Sequence, residues 1–270
     1  MEMDGKTVLV TGATDGLGRG LARELAAAGA TLLLHGRDPD RFRATRDQVG
    51  SGRTYEADFA SLAAVDRMAD RIVEEQTRLD VLVNNAGIGT SIPGGGKRME
   101  SEDGYELRFA VNYLAGYMLT MRLLDLLDES APARLVNVSS AGQMAIDFDD
   151  LMLERDYSGV RAYCQSKLAQ VMFTFELADQ REDAELTATC LHPATYMPTK
   201  IVQSPMSTLQ EGVDATMRLI ADPALEGVTG KYFNGQREAG AEPQAYDRAA
   251  RQRLVVVSDE LVRAASAPEG

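Results

Sequence analysis

Two periods alternate in the hydrophobic and polar positions of this chain. Lys6–Thr11 (KTVLVT) is a short β-branched apolar run ending at glycines, and Leu17–Ala28 then carries alanine and leucine at helical spacing, which predicts strand, turn and helix. The unit recurs. Thr31–His35 is short and apolar, Pro39–Val49 is charged and helical, Thr54–Ala57 reads as a brief strand and Ser61–Arg78 as an amphipathic helix. Val81–Val83 is a strand, Gly87–Lys97 a glycine-rich loop, and Tyr105 to Leu127 one long helical pattern. A strand at Arg134–Val138, a helix over Ala162–Asp179 and a strand at Leu186–Leu191 continue the alternation, and beyond Asp222 come a strand at Lys231–Phe233 and a last helix near Asp247–Val262. Short apolar strands alternating with helices predict parallel strands buried on both faces: an α/β, doubly wound parallel sheet with helices on both sides. No repeat, low-complexity tract or linker divides the pattern, so one domain over 1–270 is expected.

Composition narrows the function. The 270 residues are 44% hydrophobic and 26% charged, a globular balance, and Asp plus Glu outnumber Lys plus Arg 41 to 28 for a formal charge of -13. So acidic a surface repels phosphate backbones and anionic lipid, which argues against nucleic-acid or membrane partners. Only Cys164 and Cys190 occur, too few for a disulfide framework, and the acidic start shows neither signal peptide nor apolar span. A cytoplasmic location is expected.

The first strand-to-helix turn is Thr11-Gly12-Ala13-Thr14-Asp15-Gly16-Leu17-Gly18. Glycines there let the backbone turn tightly and approach a pyrophosphate, whose charge the amides of a helix N-terminus then meet. Its spacing is Gly-x-x-x-Gly-x-Gly, and it lacks the Gly-Lys-Ser/Thr ending of a triphosphate-binding loop. Further along stand Asn84-Asn85-Ala86-Gly87, Asn112 in a helical stretch, Asn137-Val138-Ser139-Ser140 at a strand end, and Tyr163 one turn before Lys167.

From Lys6 to about Phe233, in order, these motifs resemble the short-chain dehydrogenase/reductase family, and the segment between Ser140 and Tyr163 together with Gly230-Lys-Tyr-Phe is similar to its retinol-dehydrogenase-like branch. The resemblance implies a nicotinamide cofactor bound by Gly12, Thr14, Asp15, Gly16, Leu17, Gly18, Arg37, Asp58, Phe59, Asn85, Ala86, Gly87, Tyr163, Lys167, Pro193 and Thr195. It implies a catalytic set of Asn112, Ser140, Tyr163 and Lys167, with Ser139 the competing serine, and dimers or tetramers as the oligomeric state. The cofactor-binding part would span about 1–190 and the substrate-covering part about 191–270.

Chemistry supports these assignments residue by residue. An ammonium one helical turn from a phenol can lower the phenol pKa and bind a ribose, making the tyrosine a general acid or base. A serine past a parallel strand can hydrogen-bond a substrate carbonyl. Asn112 would connect the lysine to solvent, and Asp58 would meet an adenine amino group. Where NAD-preferring sites carry a carboxylate after the second strand, this chain has Gly36 beside Arg37, which favours NADP(H) over NAD(H) although Asp15 and Asp38 oppose a phosphate; Gly36→Asp together with replacement of Arg37 by a neutral residue is expected to reverse the preference.

The chain departs from the family after its sixth strand. His192-Pro193-Ala194-Thr195-Tyr196-Met197-Pro198-Thr199 has alanine for the usual glycine, and Thr195 and Thr199 both stand as candidates for the cofactor amide. His35 and His192 lack partners for a metal site or a Ser-His-Asp triad, and the acidic cluster Asp147, Asp149, Asp150, Glu154 and Asp156 reads as a solvated loop. Met144, Tyr196, Met197 and Met206 fall in segments that would cover a substrate. The expected function is hydride transfer between the cofactor and a ketone, aldehyde or secondary alcohol, no metal being involved; a lyase or epimerase of the same fold, or a nucleotide-sensing protein, is the alternative.

Overall fold

Alternation along the first strands sends their side chains to two different helical layers. In β1 (Thr7–Val10) Val8 and Val10 pack with Leu17, Leu21 and Leu25 of α1 (Gly16–Ala27), whereas Leu9 faces the opposite core with Leu114, Leu168 and Met172. β2 (Thr31–Gly36) repeats the scheme, Leu32 and Leu34 on one side and Leu33 on the other. Burying such a side chain stabilises by about 1.5–3 kcal/mol, and a strand buried on both faces has no polar side to show. The computed structural model describes residues 1–90, 96–181, 185–195, 197 and 206–266.

The other elements are α2 (Pro39–Val49), β3 (Arg53–Glu56), α3 (Leu62–Glu75), β4 (Val81–Asn84), α4 (Leu107–Phe109), a π turn at Ala110–Leu114, α5 (Ala115–Arg122), α6 (Leu124–Glu129) and β5 (Ala133–Val138). They are followed by α7 (Gly159–Gln180), β6 (Leu186–His192), α8 (Leu209–Ala221), β7 (Lys231–Asn234), β8 (Arg237–Glu238) and α9 (Arg248–Ser266). One eight-stranded sheet runs β3-β2-β1-β4-β5-β6-β7-β8, parallel throughout except for the β7–β8 hairpin. Connections leave β1 in opposite directions, towards β2 and towards β4, and the crevice outside their carboxyl ends is where such sheets bind ligands. No described helix is long and apolar enough to cross a membrane.

Three features differ from the pattern-based expectation, the first being β8, an unexpected antiparallel strand on the edge of the sheet. The long helix over Tyr105 to Leu127 is broken into α4, the π turn, α5 and α6, and within the π turn the Asn112 side chain bonds the backbone of Ile88 in place of facing solvent. The helix α8 was not anticipated, although its start carries a readable signal: Thr208 and Glu211 form a reciprocal capping box.

Candidate active site

The glycine turn is a backbone cradle. Gly12 adopts φ +65 and Gly16 φ +48, conformations that side chains disfavour. A Cβ on Gly18 would stand 2.2 Å from the Gly12 carbonyl oxygen, and one on Gly12 would stand 3.0 Å from the Ala86 Cα. Asp15 caps the N-terminus of α1 by accepting from the Gly16 amide at 2.9 Å. Asn85 holds the turn from behind, its Nδ2 donating to the Thr11 carbonyl at 2.8 Å while its own amide and that of Ala86 donate to the Thr11 hydroxyl.

His35 belongs to the same support and was not singled out by its sequence. The Gly12 amide donates to its Nδ1 at 3.2 Å, Nε2 faces the Ala57 carbonyl at 3.1 Å, and the ring stacks on Phe59 at 4.1 Å. Burial pulls its pKa down to about 4, so the imidazole is neutral near pH 7 and carries its proton on Nε2, as both bonds require.

Around this turn a cleft of about 880 Å³ opens along the carboxyl edge of the sheet. Every expected cofactor residue lines it except Gly18, which packs beneath the turn. At the outer rim Arg37 pairs with Asp58 at 3.2 Å, and Arg41, which the sequence reading passed over, reaches Asp38 at 3.1 Å and Asp15 at 3.7 Å. Both guanidiniums are exposed and shared with carboxylates, so their pull on a further anion is screened. A Cβ on Gly36 would lie 2.6 Å from the Thr14 Cγ2, so a Gly36→Asp exchange displaces Thr14 and does more than add a carboxylate.

At the inner end, β5 delivers two serines with opposite tasks. Ser139 donates its hydroxyl to the Lys167 carbonyl at 2.7 Å and is committed to α7. Ser140 faces the cleft: its Oγ accepts from the Gly142 amide at 3.0 Å, and a Cβ on Gly142 would lie 3.5 Å from that Oγ and 3.9 Å from Tyr163 Cε1, so serine and tyrosine stand side by side. Burial raises the Tyr163 pKa above its ordinary value, and the nearby Ser140 hydroxyl offsets part of that rise. Lys167 does not hold the phenol down in this arrangement. Its Nζ is 5.8 Å from the Tyr163 ring centroid and donates to the Val138 carbonyl and to Gln170 Oε1, each at 2.9 Å, while burial lowers its pKa to about 7. An amine half-neutral near pH 7 exerts a weaker field than the fixed ammonium the spacing suggested.

Asn112 lies behind the cleft, accepting from the Ile88 amide at 2.7 Å and donating to Ser166 Oγ at 3.0 Å. Between it and the lysine stands Gly87, where a Cβ would come 3.2 Å from Asn112 Oδ1 and 3.5 Å from Lys167 Nζ. The missing side chain keeps the gap between the two polar groups open.

The remaining wall is apolar, with Ile88, Leu107, Val111, Val160, Cys164 and Met197. Met197 alone of the three described methionines proposed as cover lines the cleft; Met144 and Met206 are exposed and outside its wall. Tyr196 and Thr199 lie outside the described residues. Thr195 lines the cleft with its hydroxyl 3.2 Å from His192 Nε2, and Pro193 lines it beside them. The acidic loop is pinned by arginines, Asp147 to Arg161 at 3.0 Å, Asp150 to Arg155 at 3.6 Å and Asp149 to Arg253 at 3.4 Å. Among the described residues no group of three or more His, Cys, Asp and Glu could hold a metal ion.

Side chains that the sequence did not flag shape this wall. Arg108, fully buried, donates to the carbonyls of Gly89 and Thr90, each at 3.0 Å, and to the Tyr157 hydroxyl at 2.6 Å, with Glu106 3.7 Å away. Their partners are far apart in the chain, so no local pattern marks them.

The site can be set beside known proteins. A family model described as short chain dehydrogenase matches residues 6–209. Retinol dehydrogenase 13 of Mus musculus is 37% identical over 97% of this chain and 85% of its own length, and retinol dehydrogenase 14 of Homo sapiens is 35% identical over 96% and 87%. An uncharacterized Mycobacterium paratuberculosis protein of known structure is 30% identical and superposes with a TM-score of 0.82, covering 97% of this chain and 95% of that one. A Shigella flexneri short chain dehydrogenase solved with NADP is 27% identical, with a TM-score of 0.68 over 87% and 99%. A glycine cradle at the first strand, a serine and a tyrosine meeting past β5, and a lysine one turn further thus have a common origin, and the chain belongs to the short-chain dehydrogenase family of oxidoreductases.

Proposed function

We propose that the protein is an NADP(H)-dependent oxidoreductase acting on an apolar alcohol or its aldehyde or ketone, with Tyr163 as the general acid/base. The observation that carries this reading is Ser140 and Tyr163 side by side in a cleft whose one end is the glycine cradle and whose other wall is apolar. The names of the relatives, retinol dehydrogenases, accord with an apolar alcohol.

The residues present fit a dinucleotide, since the turn lines the cleft with Gly12 and Gly16, bare of side chains, at the N-terminus of α1. Gly12 to Leu17 would hold the pyrophosphate, Arg37 and Arg41 the phosphate-bearing ribose, and Lys167 the inner ribose. A nicotinamide cofactor, when bound, supplies or accepts the hydride. The protein supplies the rest. Ser140 directs its proton to the substrate oxygen, Tyr163 donates a proton to that oxygen in reduction or removes it in oxidation, and Lys167, titrating near pH 7, replenishes it. The apolar wall excludes water from the reacting carbon. Two buried free thiols, Cys164 and Cys190, suit a reducing cytoplasm.

A spectrophotometric screen of NADPH oxidation over apolar aldehydes, retinal among them, and ketones tests the reading. Tyr163→Phe keeps ring volume but removes the donor, so kcat should fall about 10²-fold or more with cofactor Kd unchanged. Wild-type turnover in that variant would overturn the assignment. Tight cofactor binding with no turnover of any carbonyl would favour a nucleotide-sensing role.

A further inference from the structure

Gly230-Lys-Tyr-Phe is a motif that hydride transfer leaves unexplained. Its tyrosine sits in β7, in register with Cys190 of β6, and is buried. The Tyr232 hydroxyl crosses the sheet edge to donate to the Ser140 carbonyl at 3.1 Å. Gln143 donates its Nε2 to the same oxygen at 2.9 Å, and its orientation is fixed because its Oε1 accepts from the Glu242 amide at 2.9 Å.

We propose that Tyr232, backed by Gln143, is a positioning residue that aims the Ser140 hydroxyl at Tyr163. A buried carbonyl is satisfied by one donor; this one receives two side-chain donors, at the residue that stands beside Tyr163 in the cleft. The clamp acts with the Gly142 amide. That amide donates to Ser140 Oγ and occupies a lone pair, so the hydroxyl proton is left for an acceptor in the cleft beside Tyr163. With the carbonyl fixed on one side and the Oγ on the other, Ser140 cannot rotate away without breaking a buried bond. Burial pushes the Tyr232 pKa up to about 12, so its phenol stays protonated and keeps donating across the working pH range. Through this contact the strand that closes the parallel sheet reaches the reacting group without touching substrate.

The inference rests on the Ser140–Tyr163 pairing of the proposed function, and its test separates the two. Tyr232→Phe keeps the ring and removes the donor, and kcat should fall about tenfold with KM within about twofold. In a Ser140→Ala background the same change should have no further effect on kcat, whereas a merely structural tyrosine would give additive losses. Gln143→Leu, which removes the second donor to the Ser140 carbonyl, gives a parallel loss should Tyr232→Phe be unstable. A readout without turnover is the 13Cζ resonance of Tyr163 in tyrosine-labelled protein, identified with Tyr163→Phe. Displacement of that resonance in the same direction by Ser140→Ala and by Tyr232→Phe supports the clamp. A resonance moved by Ser140→Ala alone, or additive losses in kcat, overturns the clamp and leaves the proposed function standing. A resonance moved by neither overturns both.

Discussion

On the cofactor side of the cleft, geometry is carried by the backbone: positive φ at Gly12 and Gly16, absent side chains at Gly12 and Gly18, and the capped start of α1, all within one short stretch of chain. On the substrate side it is carried by side chains reaching across the molecule. Arg108 ties the Gly89 and Thr90 carbonyls to Tyr157, Tyr232 and Gln143 hold Ser140, and Gln244 brackets Ile146 by accepting from its amide at 2.6 Å and donating to its carbonyl at 3.1 Å. A backbone cradle suits a ligand whose pyrophosphate never varies, because amides and glycines offer nothing to exchange. Side-chain ties suit a wall that must fit one substrate, since a single replacement can reset its shape.

The largest effect on ligand binding should come from the cradle. In Gly18→Ala the new methyl stands 2.2 Å from a backbone oxygen that cannot swing aside, so the turn itself must move. Overpacking of this kind destabilises by about 1–3 kcal/mol, which lowers Tm by about 5 °C, and cofactor affinity should drop more than about tenfold. Calorimetry with and without NADPH reads both, and a variant with wild-type Kd would show that the cradle tolerates side chains after all.

Next comes the substrate wall. Arg108→Met leaves the Glu106 carboxyl, whose pKa burial already raises, without its cation, and breaking a buried pair destabilises by about 3–5 kcal/mol. Arg108→Met combined with Glu106→Gln should regain much of that stability while substrate KM stays several-fold high and cofactor Kd stays wild type. If KM returns with stability, Arg108 serves the fold and not the wall, and the contrast between the two sides weakens.

The smallest effect belongs to Arg37. A charge-assisted bond to a phosphate contributes about 1.5–3 kcal/mol, but this guanidinium is 69% exposed and shared with Asp58. Arg37→Ala should therefore lower the NADPH-over-NADH preference by about tenfold or less, and less again at high salt. Fluorescence titration of both reduced cofactors checks it; an unchanged ratio would place phosphate recognition on Arg41.

What could be read ahead of the structure follows the same division. The glycine turn, Asn84 to Gly87, Ser140, and Tyr163 with Lys167 are each complete within a few residues, and the alternating periods placed them at strand ends. The capping box at Thr208 was equally local and was overlooked. The Tyr163 pKa direction escaped because it is set by how deeply α7 lies in the core, which burial decides and spacing does not.

The sequence by itself determined the doubly wound sheet, the glycine cradle and which residues stand at the strand ends as site candidates, because strand periodicity and glycine conformations are properties of neighbouring positions. Only the tertiary structure decided which serine faces the cleft, where the Lys167 amine points, that the helix around Asn112 opens into a π turn, and that Arg108 and Tyr232 anchor the substrate side. Those outcomes are settled by donors and acceptors that must find partners once water is excluded, and their partners come from wherever the fold brings them.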